Sequence, residues 1–287
     1  MKFLIENYAN PFDTQSLYLH KGFLSLGYES VLWDGNTCSI YDIMDKEKPD
    51  YYITSAHRLS KDFAHYSKNN DKVKLILNVD RVSQAIIDSI EQSIVDSGMN
   101  CGFLFSSTYD VVTKKLRFVH TNNAHDSNLS KNVNTVDYAI DKAIFIDSKE
   151  EIQQYDGTYH VLSNNDKIKE DADIVLPEHM MFSLYKNYKE IIFRNITESF
   201  IPQSFFDAIA FGNKVYCENI DQQTEERLAK LFKLNNESFD YNSPNKIQNF
   251  ETVKSTIQEK HLPLNRAKTL ISQLPKGDKN ERRYSFA

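Results

Sequence analysis

Short apolar, β-rich runs alternate along this chain with stretches whose apolar positions recur at helical spacing. Phe3-Leu4-Ile5 predicts a strand, and Leu17, Leu19, Phe23, Leu24 and Leu26 predict a helix over 12–26 that stops at Gly27. Ser30 to Trp33 predicts the next strand and 39–46 a short helix. Tyr51 to Thr54 is a strand followed by a helix over about 60–67. Lys74 to Val79 is another strand, followed by a helix over 82–95 with Ile86, Ile87, Ile90 and Ile94. Cys101 to Phe105 is expected to close this half. Strands separated by helices of this length argue for βαβ units and a parallel sheet.

From about Thr121 to Thr135 the composition turns to Asn, Ser, Asp, His and Lys, the signature of a loop or linker. The alternation then resumes with strands at 143–146, 159–162, 173–176, 190–193 and 214–217. Helices are expected at 180–188, 205–211 and 224–234, and a last helical region over 250–274 is interrupted at Pro263. The polar end, 276–287, reads as a frayed tail. The reading is an α/β protein of two Rossmann-like domains facing a cleft, with boundaries 1–130 and 131–287 and a terminal helix packing back. In open α/β sheets ligands bind beyond the carboxyl ends of the strands, so the cleft is the expected site.

Composition narrows the class. The 287 residues are 40% hydrophobic and 26% charged, enough for a sizeable core. A net charge of −6 argues against a general nucleic-acid coat, although a local basic groove stays open. No run approaches the roughly 20 apolar residues of a membrane span. The start reaches Glu6 without the apolar core of a signal peptide. Cys38, Cys101 and Cys217 are widely spaced and fit core residues in a reducing compartment. A cytoplasmic location is the expectation. The spacings of helical metal-binding histidines, Cys-x-x-Cys and calcium loops are missing. The pair Asp171 and Asp173 runs into a strand and reads as solvated loop, so no metal site is expected.

The order of landmarks resembles the GT-B glycosyltransferases, and within them the spore-coat maturation (CgeB-like) family. Asn187 to Asn195, followed by Ile201 to Tyr216, is similar to that family's donor-site stretch: a strand, a loop, an acid followed by Ala on an apolar helix, a Gly and another strand. Asp50 to Ile53 with His57, Leu77 to Asp80, Phe103 to Ser107, Asn123 to Asp126, and His261 with Asn265 to Leu270 fall in the family's order. The resemblance implies transfer of a sugar from a nucleoside diphosphate sugar to an acceptor hydroxyl, without a metal and with no cofactor beyond that donor substrate. It further implies Asp207 on the ribose, Ser204, Asn195 and Arg194 around the nucleotide and its phosphates, and His57 or Asp80 as base toward an unknown acceptor.

Departures from the family pattern set the alternatives. Glu198 and Asp207 stand nine apart where many GT-B enzymes have two glutamates eight apart, Gln203-Ser204 replaces a phosphate-binding Arg, and Asn7 to Pro11 replaces a glycine-rich turn. A non-catalytic scaffold binding a nucleotide, sugar or protein is one rival reading, and a transferase acting on modified DNA bases is another. Each residue also has a plain role. Asp207 is a first-turn acid favoured by the helix dipole. Ser204 and Asp80 are helix caps, Arg194 is half of a surface ion pair, and His57 and His120 are strand-end histidines. His125-Asp126 belongs to a solvated loop, and Lys186 and Lys189 are weaker versions of Arg194.

Overall fold

The computed structural model describes residues 1–7, 14–80, 82–107, 111–121, 142–146, 159–163, 170, 172–175, 184–194, 196, 201–218, 220–232, 245–246 and 250–274. Asn195, Glu198, Asn123 to Asp126, Asp171, nearly all of the expected linker, most of the helix expected at 180–188 and the tail at 276–287 lie outside the described residues.

The first half alternates strand and helix: β1 (Lys2–Glu6), α1 (Thr14–Ser25), β2 (Glu29–Trp33), α2 (Ile40–Glu47), β3 (Tyr51–Ser55), α3 (Lys61–Asn69), β4 (Lys74–Asn78), α4 (Gln84–Ser97), β5 (Cys101–Ser106) and β6 (Phe118–His120). The strands form one parallel sheet in the order β2-β1-β3-β4-β5-β6. Successive side chains on a strand point to opposite faces, so Leu4, Tyr52, Leu75, Leu77 and Leu104 receive α2, α3 and α4 on one side. Phe3, Ile5, Ile53, Ile76, Phe103 and Phe105 receive α1 on the other. Burial on both faces explains why these strands read as continuous apolar runs. Local signals start the helices: Ser39 accepts from Asp42 N at 3.2 Å and Ser60 from Phe63 N at 3.1 Å.

The second half contains β7 (Lys142–Phe145), β8 (His160–Ser163), β9 (Ile174–Val175), β10 (Glu190–Phe193), α5 (Gln203–Phe211), β11 (Lys214–Cys217), α6 (Gln222–Phe232), β12 (Asn245–Lys246), α7 (Phe250–Lys260) and α8 (Pro263–Ser272). Its sheet runs β12-β11-β10-β7-β8-β9, all parallel except β12 against β11. Phe205, Phe206, Ala208 and Ile209 of α5 pack on Phe145, Ile191 and Phe193, together with Leu228 of α6 and Ile257 of α7.

The chain then turns at Leu262, whose extended backbone precedes Pro263 in the first position of α8. Whereas α7 belongs to the second core, Ala267 and Leu270 of α8 sit fully buried in the first, against Phe23 of α1. Gly22 makes this packing possible, because a Cβ there would lie 2.2 Å from the Pro263 carbonyl oxygen and 2.8 Å from Ala267 Cβ.

Two expectations need correction. Cys101 to Phe105 does not close the first sheet, since β6 adds a further parallel strand beside β5. With only Phe118 and Val119 apolar, that strand is too short to show a period. Also, α5 begins at Gln203, with Pro202 at its cap position and no acid in its first turn. Asp207 is therefore a mid-helix residue rather than a first-turn acid, and Ser204 lies within the first turn rather than capping it.

Candidate functional site

Both sheets reverse their strand order once, and in an open α/β sheet that reversal leaves a crevice at the carboxyl ends of the two flanking strands. In the first sheet the flanking strands are β1 and β3, which end at Glu6 and Ser55. In the second they are β7 and β10, which end at Phe145 and Phe193. The two regions are neighbours. Gln15, in the first turn of α1 after β1, donates from Nε2 to Oε1 of Gln203 at 2.5 Å, and Gln203 opens α5 after β10.

On the first side, Glu6 is 4% exposed, and its Oε2 accepts from the Tyr52 hydroxyl at 2.6 Å and from the Thr54 hydroxyl. Parallel pairing sets this trio, because the register Ile5↔Ile53 puts Glu6 beside Thr54 on the face that carries Tyr52. Sequence reasoning passed over Glu6. The available signal was an acid closing an otherwise apolar strand opposite a hydroxyl-bearing one. His57 lies two residues past β3 on an exposed turn, with no hydrogen bond or ion pair to the described residues.

Asp80 lies just beyond β4 and is heavily engaged. Its Oδ1 accepts from Ser106 Oγ at 2.8 Å, Ser107 N at 2.5 Å and Ser107 Oγ at 2.9 Å, while Oδ2 is 3.6 Å from Nη2 of Arg266 on α8. Its expected capping role is not observed, because α4 has Ser83 at its cap position. Both carboxylate oxygens are thus engaged by groups of the protein itself. The Arg266 side chain is 1% exposed and stands over the Phe105 ring at 5.6 Å. His120, ending β6, contacts the Ser107 carbonyl oxygen at 3.4 Å. Burial above all, with the charges of Arg227 and Arg266 adding to it, outweighs the Ser107 carbonyl and Asp80 and lowers its pKa to about 4, so the ring is neutral near pH 7. Beside this cluster, Thr121, Lys260, His261, Asn265, Arg266 and Thr269 line a cavity of about 60 Å³.

On the second side, Arg194 follows β10, and its Nε donates to Glu218 Oε2 at 2.8 Å. The two side chains are 11% and 21% exposed, so the pair is largely buried and not the surface pair expected. Ser204 and Asp207 are 2% and 4% exposed, and Asp207 Oδ1 accepts from Gln203 Nε2 at 3.1 Å. Arg194 thus stands at the end of β10, Ser204 and Asp207 lie within α5, Glu6 and His57 lie at or just past the ends of β1 and β3, and Asp80 is set apart in the Arg266 cluster.

Among the described residues no group of three or more His, Cys, Asp and Glu side chains is arranged to hold a metal, and no helix is long and apolar enough to cross a membrane. Burial pushes the thiols of Cys101 and Cys217 up to about 12; Cys217 lies in the second core, and half-buried Cys101 packs against the first.

No protein-family model and no curated protein matches the chain. Among solved structures, it is similar to Anabaena Alr3699/HepE, crystallised with UDP and glucose, at 9% identity and a TM-score of 0.49, over 96% of this chain and 95% of that one. The spinosyn forosaminyltransferase SpnP gives 10% identity and 0.47 over 95% and 98%. SsfS6, a glycosyltransferase of Streptomyces sp. SF2575, gives 8% and 0.44 over 95% and 99%. The two-sheet α/β architecture stands on the strand orders and packing described above.

Proposed function

We propose that this chain is a metal-independent glycosyltransferase of the GT-B kind, moving a sugar from a nucleoside diphosphate donor to an acceptor hydroxyl. The observation that carries the reading is the Gln15–Gln203 hydrogen bond. It brings the carboxyl ends of two doubly wound sheets against one another, the position where a two-substrate crevice belongs.

In this reading the second half holds the donor. Asp207 faces the ribose hydroxyls, and Asn195, Ser204 and the main-chain N–H groups opening α5 meet the nucleotide and its phosphates. Arg194 supports the departing diphosphate charge. Because Ser204 and Asp207 are buried and Gln203 is held by Gln15, the donor enters as the two halves part and re-close around it. The first half presents the acceptor. The base is His57, whose exposed imidazole stands past β3 at the crevice, whereas Asp80 is spent on Ser106, Ser107 and Arg266. Glu6, Tyr52 and Thr54 shape the floor on which the acceptor lies.

One observation favours the rival reading of a non-catalytic scaffold. Arg194 is already matched by Glu218, and Gln203 brings no charge of its own. A thermal-shift panel of UDP, GDP, TDP and UDP-glucose separates the two. The transferase reading expects a rise in Tm with at least one nucleoside diphosphate, reduced by Arg194→Gln, and slow release of free sugar from the matching donor. No shift with any nucleotide, or a shift without turnover, leaves the scaffold reading standing.

A further inference from the structure

The polar ties between separate elements of this chain differ in kind. Arg266 of α8 meets Asp80, and Arg194 meets Glu218, as ion pairs with largely buried members. Across the crevice, by contrast, α1 meets α5 through two uncharged amides, Gln15 and Gln203. Withdrawing one member of a buried ion pair strands a desolvated charge. A neutral hydrogen bond is worth only about 2- to 12-fold in an equilibrium constant. Of these contacts, the one over the crevice is therefore the one most readily exchanged for another.

The Gln203 amide also works in two directions. A carboxylate only accepts, so Asp207 Oδ1 fixes Gln203 Nε2 as the donor at 3.1 Å and turns Gln203 Oε1 toward the Gln15 amide. One buried side chain thus joins the first half to a buried carboxylate of the second. A rotation of that side chain breaks both bonds together. We infer that Gln203 is a latch: with no donor bound it closes the crevice onto Gln15 and occupies the Asp207 carboxylate, and a nucleoside diphosphate sugar binds by displacing it. The latch rests on the donor site proposed above and adds that the unliganded chain blocks that site itself. Once Gln203 swings out, Oδ1 of buried Asp207 requires a replacement donor. The vicinal diol of a ribose brings two hydroxyls for that purpose. A latch lowers apparent affinity by the fraction of molecules it keeps closed. Removing it therefore strengthens binding, the opposite of what removing a ligand-holding residue does.

Calorimetric titration of UDP, GDP and TDP into the parent, Gln15→Ala and Gln203→Ala tests the latch. Gln15→Ala, on the half opposite the donor site, should tighten the best-binding nucleotide about 2- to 12-fold. Gln203→Ala should tighten it at least as much, because it also withdraws the amide from Asp207. If Gln203→Ala impairs folding, Gln203→Met, of similar length but without the amide, takes its place. Gln222→Ala breaks a comparable Gln–acid contact on exposed α6, 2.9 Å to Glu226, and should leave the affinity unchanged. Urea titration of the two single variants and the double variant gives a readout without nucleotide. The expected coupling is about 2- to 12-fold in the unfolding constant. Parent-like or weaker nucleotide binding by Gln15→Ala, or additive effects on unfolding, overturns the latch and leaves the donor site standing. Binding of no nucleotide by the parent or by either variant overturns both, so the two readings fail distinguishably.

Discussion

The two strand-order reversals of this molecule share a topology and differ in polarity. At the first, β1 and β3 end in a buried carboxylate held by two hydroxyls, with an exposed imidazole just beyond. At the second, β10 ends in a guanidinium already matched by Glu218, and the helix that follows is buried from Gln203 to Ala210. The sheet order fixes where the crevices lie, while the side chains make the first a carboxylate among hydroxyls and the second a guanidinium–carboxylate pair. The largest expected effect breaks this contrast on the first side. His57→Ala should lower kcat by about 10²–10⁴-fold, the usual contribution of a general base, with donor affinity and Tm unchanged because the side chain touches nothing that holds the fold. An unchanged rate would remove His57 from the mechanism.

A second contrast sets Asp80 against Arg194. Both belong to ion pairs, but the Asp80–Arg266 pair ties the first half to the returning helix α8, whereas Arg194–Glu218 stays within the second half. Removing one member of a buried pair leaves the other's charge desolvated. Asp80→Ala, which withdraws the carboxylate from a guanidinium 1% exposed, is expected to cost about 3 kcal/mol in denaturant unfolding. A double-mutant cycle with Arg266→Met should return a coupling of at least about 1 kcal/mol. Additive losses would mean that Asp80 acts only through Ser106 and Ser107.

The α1–α8 contact sharpens the same comparison without touching charge. Alanine is the better helix former by about 1 kcal/mol. At Gly22, however, the new methyl would stand 2.2 Å from the Pro263 carbonyl oxygen, and overpacking of that kind costs about 1–3 kcal/mol. Gly22→Ala is therefore expected to lose up to about 2 kcal/mol net, with faster proteolysis near 261–274. A gain in stability would show that α8 docks loosely.

What was legible in the sequence follows from burial. Strands covered on both faces, such as Phe3 to Ile5 and Ile191 to Phe193, write themselves as apolar runs, and Ser39 and Ser60 mark helix starts by their capping oxygens. The short β6 and the antiparallel pair in β12 carry no period to detect. The candidates His57, Asp80 and Arg194 were visible in the sequence only as polar residues following apolar strands. Their partners come from distant positions, Glu218 for Arg194 and Arg266 for Asp80, and no local pattern announces a contact across 186 residues. Glu6 escaped because its meaning depends on the register that places Thr54 beside it. Ser204 and Asp207 read as a helix cap and a first-turn acid because the helix is expected from 205, whereas its start at Gln203 puts both inside α5, where they are buried.

The smallest effect concerns His120, where the polarity of the first side is set by burial. Its pKa in the folded chain is about 4 against an ordinary 6.5, so between these values the unfolded chain holds the proton and the folded chain does not. Stability then falls as the pH drops through 6.5 toward 4 and is flat above that window. The whole shift would be worth about 3 kcal/mol, and the ring's partial exposure to solvent reduces this to about 1 kcal/mol. Carboxylates contribute in the same direction, among them Glu91, whose pKa is lowered because the backbone N–H groups of Lys114, Lys115 and Leu116 outweigh its burial. The measurement must therefore be a difference. His120→Gln should lose less stability than the parent between pH 7 and pH 5, by up to about 1 kcal/mol, in parallel urea titrations. Identical losses would mean that His120 takes up its proton without strain, with Asp80 and the Ser107 carbonyl prevailing over Arg227 and Arg266.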